Sequence, residues 1–175
     1  MASITQIVIT GGPCAGKTSC LSTLGKRLAA KGYKAITISE TATDMFMSGI
    51  KNTEISHPEF EKMVIEYQIA KEKIALKAAL NFPEVVILYD RGIPDTRAYM
   101  SETDYKQGLK ENNLNEFQAL NRYDAVDHQK NNRGFQNSQD YQKENNPEKT
   151  KRLKIKRFDV CDTIKYWVEN YIFYL

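Results

Sequence analysis

The sequence predicts an α/β fold, a parallel β-sheet flanked by helices, on three observations. Short apolar runs rich in β-branched residues, "ITQIVIT" (4–10), "YKAITIS" (33–39) and "PEVVILYD" (83–90), read as strands buried on both faces. Helical periodicity fills the stretches between them, and that alternation is the pattern of a parallel sheet. The glycine-rich stretch "GGPCAGKT" (11–18) joins the first strand to the first helix.

At 175 residues the chain suits one domain, 1–175, with room for a sizeable core. Its net charge is +3, so no strong field marks the whole molecule. From about Lys106 onward Asn, Gln and Lys accumulate and apolar runs thin out. The three cysteines, Cys14, Cys20 and Cys161, have no framework spacing, which argues against a disulfide scaffold and for a reducing compartment. The N-terminus lacks the basic flank, apolar run and cleavage site of a signal peptide, and no segment is apolar enough to span a bilayer. The expected location is the cytoplasm.

Each element has its own signal. "KTSCLSTLGKRLAAKG" places Leu21, Leu24, Leu28 and Ala29 at helical spacing, with Gly32 as the stop. "ETATDMFMSGI" predicts a polar turn and a short helix ending near Gly49. The longest helix is predicted over "HPEFEKMVIEYQIAKEKIALKAALNF", with Pro58 in the first turn and His57 in the loop before it. Its expected apolar face is Phe60, Met63, Val64, Tyr67 and Ala70 or Ile74. "IPDTRAYMS" and "YKQGLKENNLNEFQALN" read as further helices, and "YDAV" as the start of a fourth strand.

Gly11, Gly16, Lys17 and Thr18 match the phosphate-loop pattern G-x-x-x-x-G-K-[ST], after a buried strand and before a helix, where that motif must sit. The glycines permit torsions and a close approach that side chains forbid. Inward-pointing amides and the helix N-terminus then attract an anion. Lys17 is expected to reach the β- and γ-phosphates, and Thr18 to hold Mg²⁺ through its hydroxyl. The nucleotide-binding set is Gly11, Gly12, Pro13, Cys14, Ala15, Gly16, Lys17, Thr18 and Ser19, with ATP or GTP as ligand. Cys14 reads as a small spacer.

Ligands of open α/β sheets bind beyond the carboxyl ends of the strands. Asp90 ends "VVILYD" and is expected to orient Mg²⁺. Glu40 ends "AITISE", where a carboxylate can take a proton from a substrate hydroxyl or position a water; a solvated strand end is an equal reading. Arg91 can stabilise charge on a transferring phosphoryl group, or pair with Glu40. Gln68 and Glu72 share one face of the long helix, and a solvated surface is favoured there over an acceptor pocket. His57 and His128 carry no assigned role, and no zinc or iron pattern is present.

The stretches "IVITGGPCAGKTS", "ISETAT", "DRGIPDTRAYM" and "NRYDAV" together resemble the AAA-labelled P-loop domain of bacterial nicotinamide-ribose kinases of the NadR type and of the TRPL translocation defect protein. The likeness is dense over roughly residues 4 to 128, and the match is taken to define a core at 1–126. It implies a P-loop NTPase fold and chemistry similar to that of nucleoside kinases. It implies that Gly11 to Thr18 bind the nucleotide phosphates and that Glu40, Asp90 and Arg91 flank acceptor and metal. The chain departs from the family at "DHQKNNRGFQNSQDYQ", where Asp127 and Gln129 replace expected core residues. A weaker likeness resumes at "YQKENNPEKTK" and "IKYWVENYIFYL", so residues 127–175 are expected to form a diverged lid and a truncated C-terminal segment ending within a fifth strand. Lys149, Lys151 and Arg152 would occupy the lid.

Three readings compete for the basic, aromatic stretch "KTKRLKIKRF…YWVENYIFYL": a solvated helix face packed on the domain, a phosphate-closing lid, or a surface for anionic phospholipid. A nucleic-acid surface ranks last. The expected function is therefore Mg²⁺-dependent phosphoryl transfer from ATP or GTP to a nucleoside-like small molecule, the expected enzyme being a P-loop kinase or NTPase. The alternative is a nucleotide-dependent switch that binds a partner or anionic phospholipid without transfer.

Overall fold

The structure is a computed structural model that describes residues 2–12 and 15–129. The expected lid at Lys149, Lys151 and Arg152, the basic stretch and the fifth strand lie outside the described residues, as do Pro13 and Cys14 of the glycine loop. Along the chain run β1 (Ser3–Gly11), α1 (Lys17–Ala30), β2 (Lys34–Ile38), α2 (Thr41–Met47), α3 (His57–Ala79), β3 (Glu84–Asp90), a 3₁₀ helix (Ile93–Ala98), α4 (Glu102–Glu111), α5 (Glu116–Leu120) and β4 (Ala125–Gln129).

The four strands form one parallel sheet in the order β2-β3-β1-β4. Alternation along the strands sends side chains to opposite faces, and both faces are covered. On one face Ile9, Val86 and Leu88 pack against Leu21, Leu24 and Leu28 of α1. On the other, Val8, Val85, Ile87 and Tyr89 pack against Ala75 and Ala79 of α3. A further cluster of Ile65, Ile93, Tyr105, Leu109 and Ala119 joins α3, the 3₁₀ helix, α4 and α5.

Register brings the strand ends level. Ile38 of β2 pairs with Tyr89 of β3, and Ile9 of β1 pairs with Asp90. The residues that follow each strand therefore emerge at one edge of the sheet. The connection from β1 runs to one side, past β3 to β2, and that from β3 runs to the other, past β1 to β4, so a topological switch point lies between the ends of β1 and β3.

Several expectations change. The buried face of α3 is Phe60, Glu61, Val64, Ile65, Gln68, Glu72, Ala75 and Ala79. Tyr67 and Ile74, assigned to the core from sequence, are 44% and 70% exposed, and Ala70 is exposed too. The helix is rotated from its apolar stripe because Gln68 and Glu72 are buried in a hydrogen-bonded network. The solvated-surface reading of those two residues is thereby corrected. His57 opens α3 rather than preceding it, with Ser56 at the N-cap. Ala29 of α1 is exposed. The helix expected in "IPDTRAYMS" is a 3₁₀ helix, in which Pro94 has no N–H to give and the Thr96 hydroxyl bonds the Ile93 carbonyl at 2.8 Å. The β4 strand runs through to Gln129, past the expected core boundary at 126. Its Gln129 is buried and donates to the Asp127 carboxylate at 2.5 Å, so two polar residues at core positions satisfy one another. Among the described residues no helix is long and apolar enough to cross a membrane.

Candidate nucleotide and acceptor site

The glycine loop leaves β1 at Gly11 and enters α1 at Lys17. Gly11 has φ 129° and Gly16 has φ 83°, backbone that L side chains rarely adopt. Gly11 faces a second constraint: a Cβ there would lie 2.3 Å from the Gln129 carbonyl oxygen of the adjacent strand. This glycine thus serves the pairing of β1 with β4 as well as the loop. Gly16 is the N-cap of α1 and offers no side chain to its first turn, which also holds no acidic residue. The first-turn amides are left for an anion, and the helix field favours one.

Lys17 is only 8% exposed, and its ammonium donates to the carbonyls of Gly11 at 2.9 Å and Gly12 at 2.8 Å. Burial lowers its pKa and Arg91 adds to that, against the pull of Asp90, Glu40 and Asp95. Gly12 is buried, Ala15 is half-buried, and Thr18 and Ser19 are exposed at the start of α1.

The Thr18 hydroxyl donates to Oδ2 of Asp90 at 3.3 Å, while Oδ1 of Asp90 is buried and has no hydrogen-bond partner among the described residues. Burial, with the nearby Glu40 charge, raises the Asp90 pKa. An orphaned buried carboxylate oxygen beside a hydroxyl is the hard-oxygen donor set that Mg²⁺ takes, so the residues present fit that ion. No group of three His, Cys, Asp or Glu capable of holding a metal occurs among the described residues. Mg²⁺ needs none, because nucleotide phosphates and water complete its shell.

Glu40 and Arg91 meet across the edge of the sheet. Arg91 donates through Nε to Oε1 of Glu40 at 2.6 Å, and the Thr43 hydroxyl donates to Oε2 at 2.8 Å. Burial alone would raise the Glu40 pKa, but Thr43 and Arg91 outweigh it and hold the carboxyl below its usual range. Arg91 adopts φ 70°, a left-handed conformation uncommon outside glycine, which costs about 1 kcal/mol or more. Its N–H bonds the Ile9 carbonyl at 3.0 Å, fixing the turn against β1.

Three further residues belong here and were not singled out from the sequence. Asp95 accepts from the Thr10 hydroxyl at 2.8 Å and from the Gly92 N–H at 3.0 Å, clamping the end of β1 to the turn after β3. It lies three residues past Gly92 in the very stretch that carries Asp90 and Arg91, so motif position was a usable signal. Glu61 on α3 and Tyr99 after the 3₁₀ helix also act electrostatically within the group around Arg91. Tyr99 lies in that same stretch, while no local pattern marks Glu61.

Behind the site lies the buried network of α3. Glu72, 0% exposed, accepts from Gln68 at 3.1 Å, from Arg122 at 2.7 Å and from the Tyr123 hydroxyl at 2.6 Å. Gln68 bonds the hydroxyl of Thr41, the residue after Glu40, and the Tyr123 oxygen accepts from the Ile93 N–H at 3.0 Å. The network ties the segment after β2 to the segment after β3 and to the approach to β4.

A sheet of this order, with a glycine loop, a buried loop lysine and a Thr–Asp pair at one edge, defines a P-loop nucleotide-binding domain. Residues 6–166 match the AAA domain family, and the chain belongs to that family. No curated protein matches. Among solved structures, that of a cysteine-to-alanine mutant of the Mycobacterium tuberculosis APS kinase is similar at 12% identity and a TM-score of 0.42, over 96% of each chain. A likeness of that degree carries no inference about substrate or site.

Proposed function

We propose that this domain is a Mg²⁺-dependent kinase that transfers the γ-phosphoryl group of ATP or GTP to a hydroxyl of a nucleoside-like small molecule. The observation that carries the reading is the ion pair of Glu40 with Arg91, set at the same edge as Lys17, Thr18 and Asp90. A carboxylate that can accept a proton and a guanidinium that can meet a phosphoryl group are the two groups this transfer asks for.

The loop amides and Lys17 hold the phosphates and offset their charge. Thr18 and Asp90 would hold Mg²⁺, which when bound would supply neutralisation of phosphate charge. Glu40, kept ionised by Thr43 and Arg91, accepts the proton of the acceptor hydroxyl. The acceptor oxygen forms its bond to γ-phosphorus as the bond from that phosphorus to the bridging oxygen breaks, releasing the nucleoside diphosphate. The Arg91 guanidinium, unpaired at its two terminal nitrogens among the described residues, stabilises the transferring group. Positioning and charge stabilisation supply most of the rate in such chemistry. The resemblance to NadR-type enzymes supports a nucleoside-like acceptor, and a cytoplasmic setting with free nucleotide suits this reaction.

Calorimetric titration with Mg·ATP and Mg·GTP, followed by an acceptor screen on wild type and Glu40→Gln, tests the proposal. Micromolar nucleotide binding and a turnover that Glu40→Gln abolishes without weakening nucleotide affinity are expected. Nucleotide binding with no acceptor phosphorylated, together with liposome binding that changes with nucleotide state, would establish the switch reading instead.

A further inference from the structure

Every donor of the buried α3 network converges on one carboxylate. Oε1 of Glu72 accepts from Gln68 Nε2 at 3.1 Å and from the Tyr123 hydroxyl at 2.6 Å, and Oε2 accepts from Arg122 Nε at 2.8 Å. A carboxylate offers no proton, so Gln68 turns its amide nitrogen toward Glu72 and its oxygen toward Thr41, whose hydroxyl donates to it. Tyr123, which gives its proton to Glu72, presents its oxygen to the Ile93 N–H at 3.0 Å. One anchored carboxylate thus holds two arms, each with a fixed donor direction.

The arms end beside Glu40 and Arg91. Thr41 follows Glu40 directly, and on the other side of Glu40 the Ser39 carbonyl accepts from Lys71 of the same helix at 2.6 Å. Glu40 is therefore bracketed by two ties to α3. Ile93 follows Arg91 by two residues, and three successive amides of that turn are held by three different elements. The Arg91 N–H donates to the Ile9 carbonyl at 3.0 Å, that of Gly92 to Asp95 at 3.0 Å, and that of Ile93 to Tyr123. The Tyr123 ring also covers Gly92, where a Cβ would lie 2.9 Å from it. A residue at φ 70°, as Arg91 is, persists where its surroundings over-determine it.

We propose that Gln68, Glu72 and Tyr123 are positioning residues, which set the separation and mutual orientation of Glu40 and Arg91 from a common reference on α3. The backbone ladder does not reach the pair: β2 and β3 last match at Ile38 and Tyr89, two residues short of Glu40 and Arg91. The hydrogen-bonded chain through Gln68, Glu72 and Tyr123 carries the alignment past that point. The pair needs it, because its side chains are 19% and 31% exposed for Arg91 and Glu40, and long side chains that touch solvent lose entropy when held in one geometry. That the alignment serves phosphoryl transfer rests on the kinase reading above; the alignment itself does not. In that chemistry a small misplacement of the reacting groups costs a large part of the rate.

The test is a double-mutant cycle on the full chain, in which urea unfolding of Glu40→Gln, Arg91→Met and the two combined gives the coupling of Glu40 with Arg91. The cycle is run in wild type and in Thr41→Val, Thr41→Ser and Tyr123→Phe backgrounds, with far-UV circular dichroism confirming that each folds. Thr41→Val removes the arm toward Glu40 at similar shape, Thr41→Ser keeps its hydroxyl, and Tyr123→Phe takes one oxygen from the other arm. The coupling is expected to fall below about half its wild-type value in Thr41→Val and Tyr123→Phe, and to keep that value in Thr41→Ser. A network that only stabilises the fold would lower the unfolding midpoint and leave the coupling unchanged, and that result overturns the proposal. So does an equal loss in Thr41→Ser and Thr41→Val. Should Thr41→Val fail to fold, Tyr123→Phe decides. Kinetics with Mg·ATP and adenosine or uridine as probe separate the two readings: kcat is expected to fall about tenfold in Tyr123→Phe, with KM for ATP held within about twofold. The expected loss of coupling with no nucleoside phosphorylated by wild type would keep the positioning role and remove the kinase reading. A nucleoside phosphorylated with coupling and kcat unmoved by Tyr123→Phe would do the reverse.

Discussion

The guanidinium of Arg91 reaches from the end of β3 to the carboxylate of Glu40 at the end of β2, closing to 2.6 Å between Nε and Oε1. Two strands adjacent in the sheet thus share one ion pair at their carboxyl edge, with the backbone of Arg91 held in a left-handed turn to make it. The bond is to Nε, which lysine lacks. Arg91→Lys keeps the charge but removes the fork. Phosphoryl transfer is expected to fall about ten- to a hundredfold, with Mg·ATP affinity held within about twofold, as read by steady-state kinetics beside calorimetry.

Lys17 is nearly buried against two loop carbonyls, and the proposed reaction assigns it to the phosphates. Charged hydrogen bonds are worth about 1.5–3 kcal/mol, so Lys17→Ala should weaken Mg·ATP binding roughly ten- to a hundredfold. Unchanged affinity in a folded variant would show that the loop does not bind nucleotide through this residue.

Gly11 serves two masters, the loop and the strand pair. A methyl group at Gly11 would meet the Gln129 carbonyl and must also take up φ 129°. Gly11→Ala is expected to destabilise the fold by about 2 kcal/mol or more in urea unfolding, before any effect on nucleotide. Gly16→Ala meets nothing nearby and should differ, losing nucleotide affinity with a smaller loss of stability.

The Glu72 network predicts a strong coupling. Glu72 is fully buried while Arg122 is partly open to solvent. Removing the carboxylate strands the guanidinium, the Tyr123 hydroxyl and Gln68 together. Glu72→Ala should cost about 3 kcal/mol of stability, and a double-mutant cycle with Arg122→Ala should return a coupling above about 1 kcal/mol. Additive single effects would show that the network contributes little to stability.

Burial pushes the Glu61 carboxyl up to about 7 from its ordinary 4.5, against the pull of Arg91. Between those values the native chain holds a proton that the unfolded chain has lost. The unfolded state binds fewer protons there, so this group's contribution to stability is full below pH 4.5 and is lost as pH rises through about 7. Glu61→Gln lacks the titration. Denaturant unfolding at pH 5 and pH 8 should show the variant gaining on wild type at the higher pH, by up to roughly 3 kcal/mol. A constant difference across that range would mean that Glu61 titrates normally.

Much of this was legible in the sequence because it is local. The run "IVIT" before "GGPCAGKT" and the leucines after it specify a strand, a loop and a helix from short-range chemistry alone, and the loop takes a backbone geometry that glycine permits. Strand ends are legible too, since an acidic residue closing or just following a β-branched run must emerge at the sheet's edge, as Asp90 and Glu40 do.

What the sequence left open turned on partners distant along the chain. Gln68 and Glu72 read as a wet helix face, and only Arg122 and Tyr123, some fifty residues on, make their burial tolerable. The same network rotates α3 so that Tyr67 and Ile74 face solvent and Glu61 is buried, although apolarity alone assigns the face otherwise. By itself the sequence determined the elements, the phosphate loop and the acids at the strand ends, because hydrophobic period and glycine torsions act over a few residues. The tertiary structure decided the choice of pairing for Glu40, the clamp of Asp95 on Thr10 and the burial of Gln68 and Glu72, because the energy of a buried polar group depends on which partner the fold brings to it.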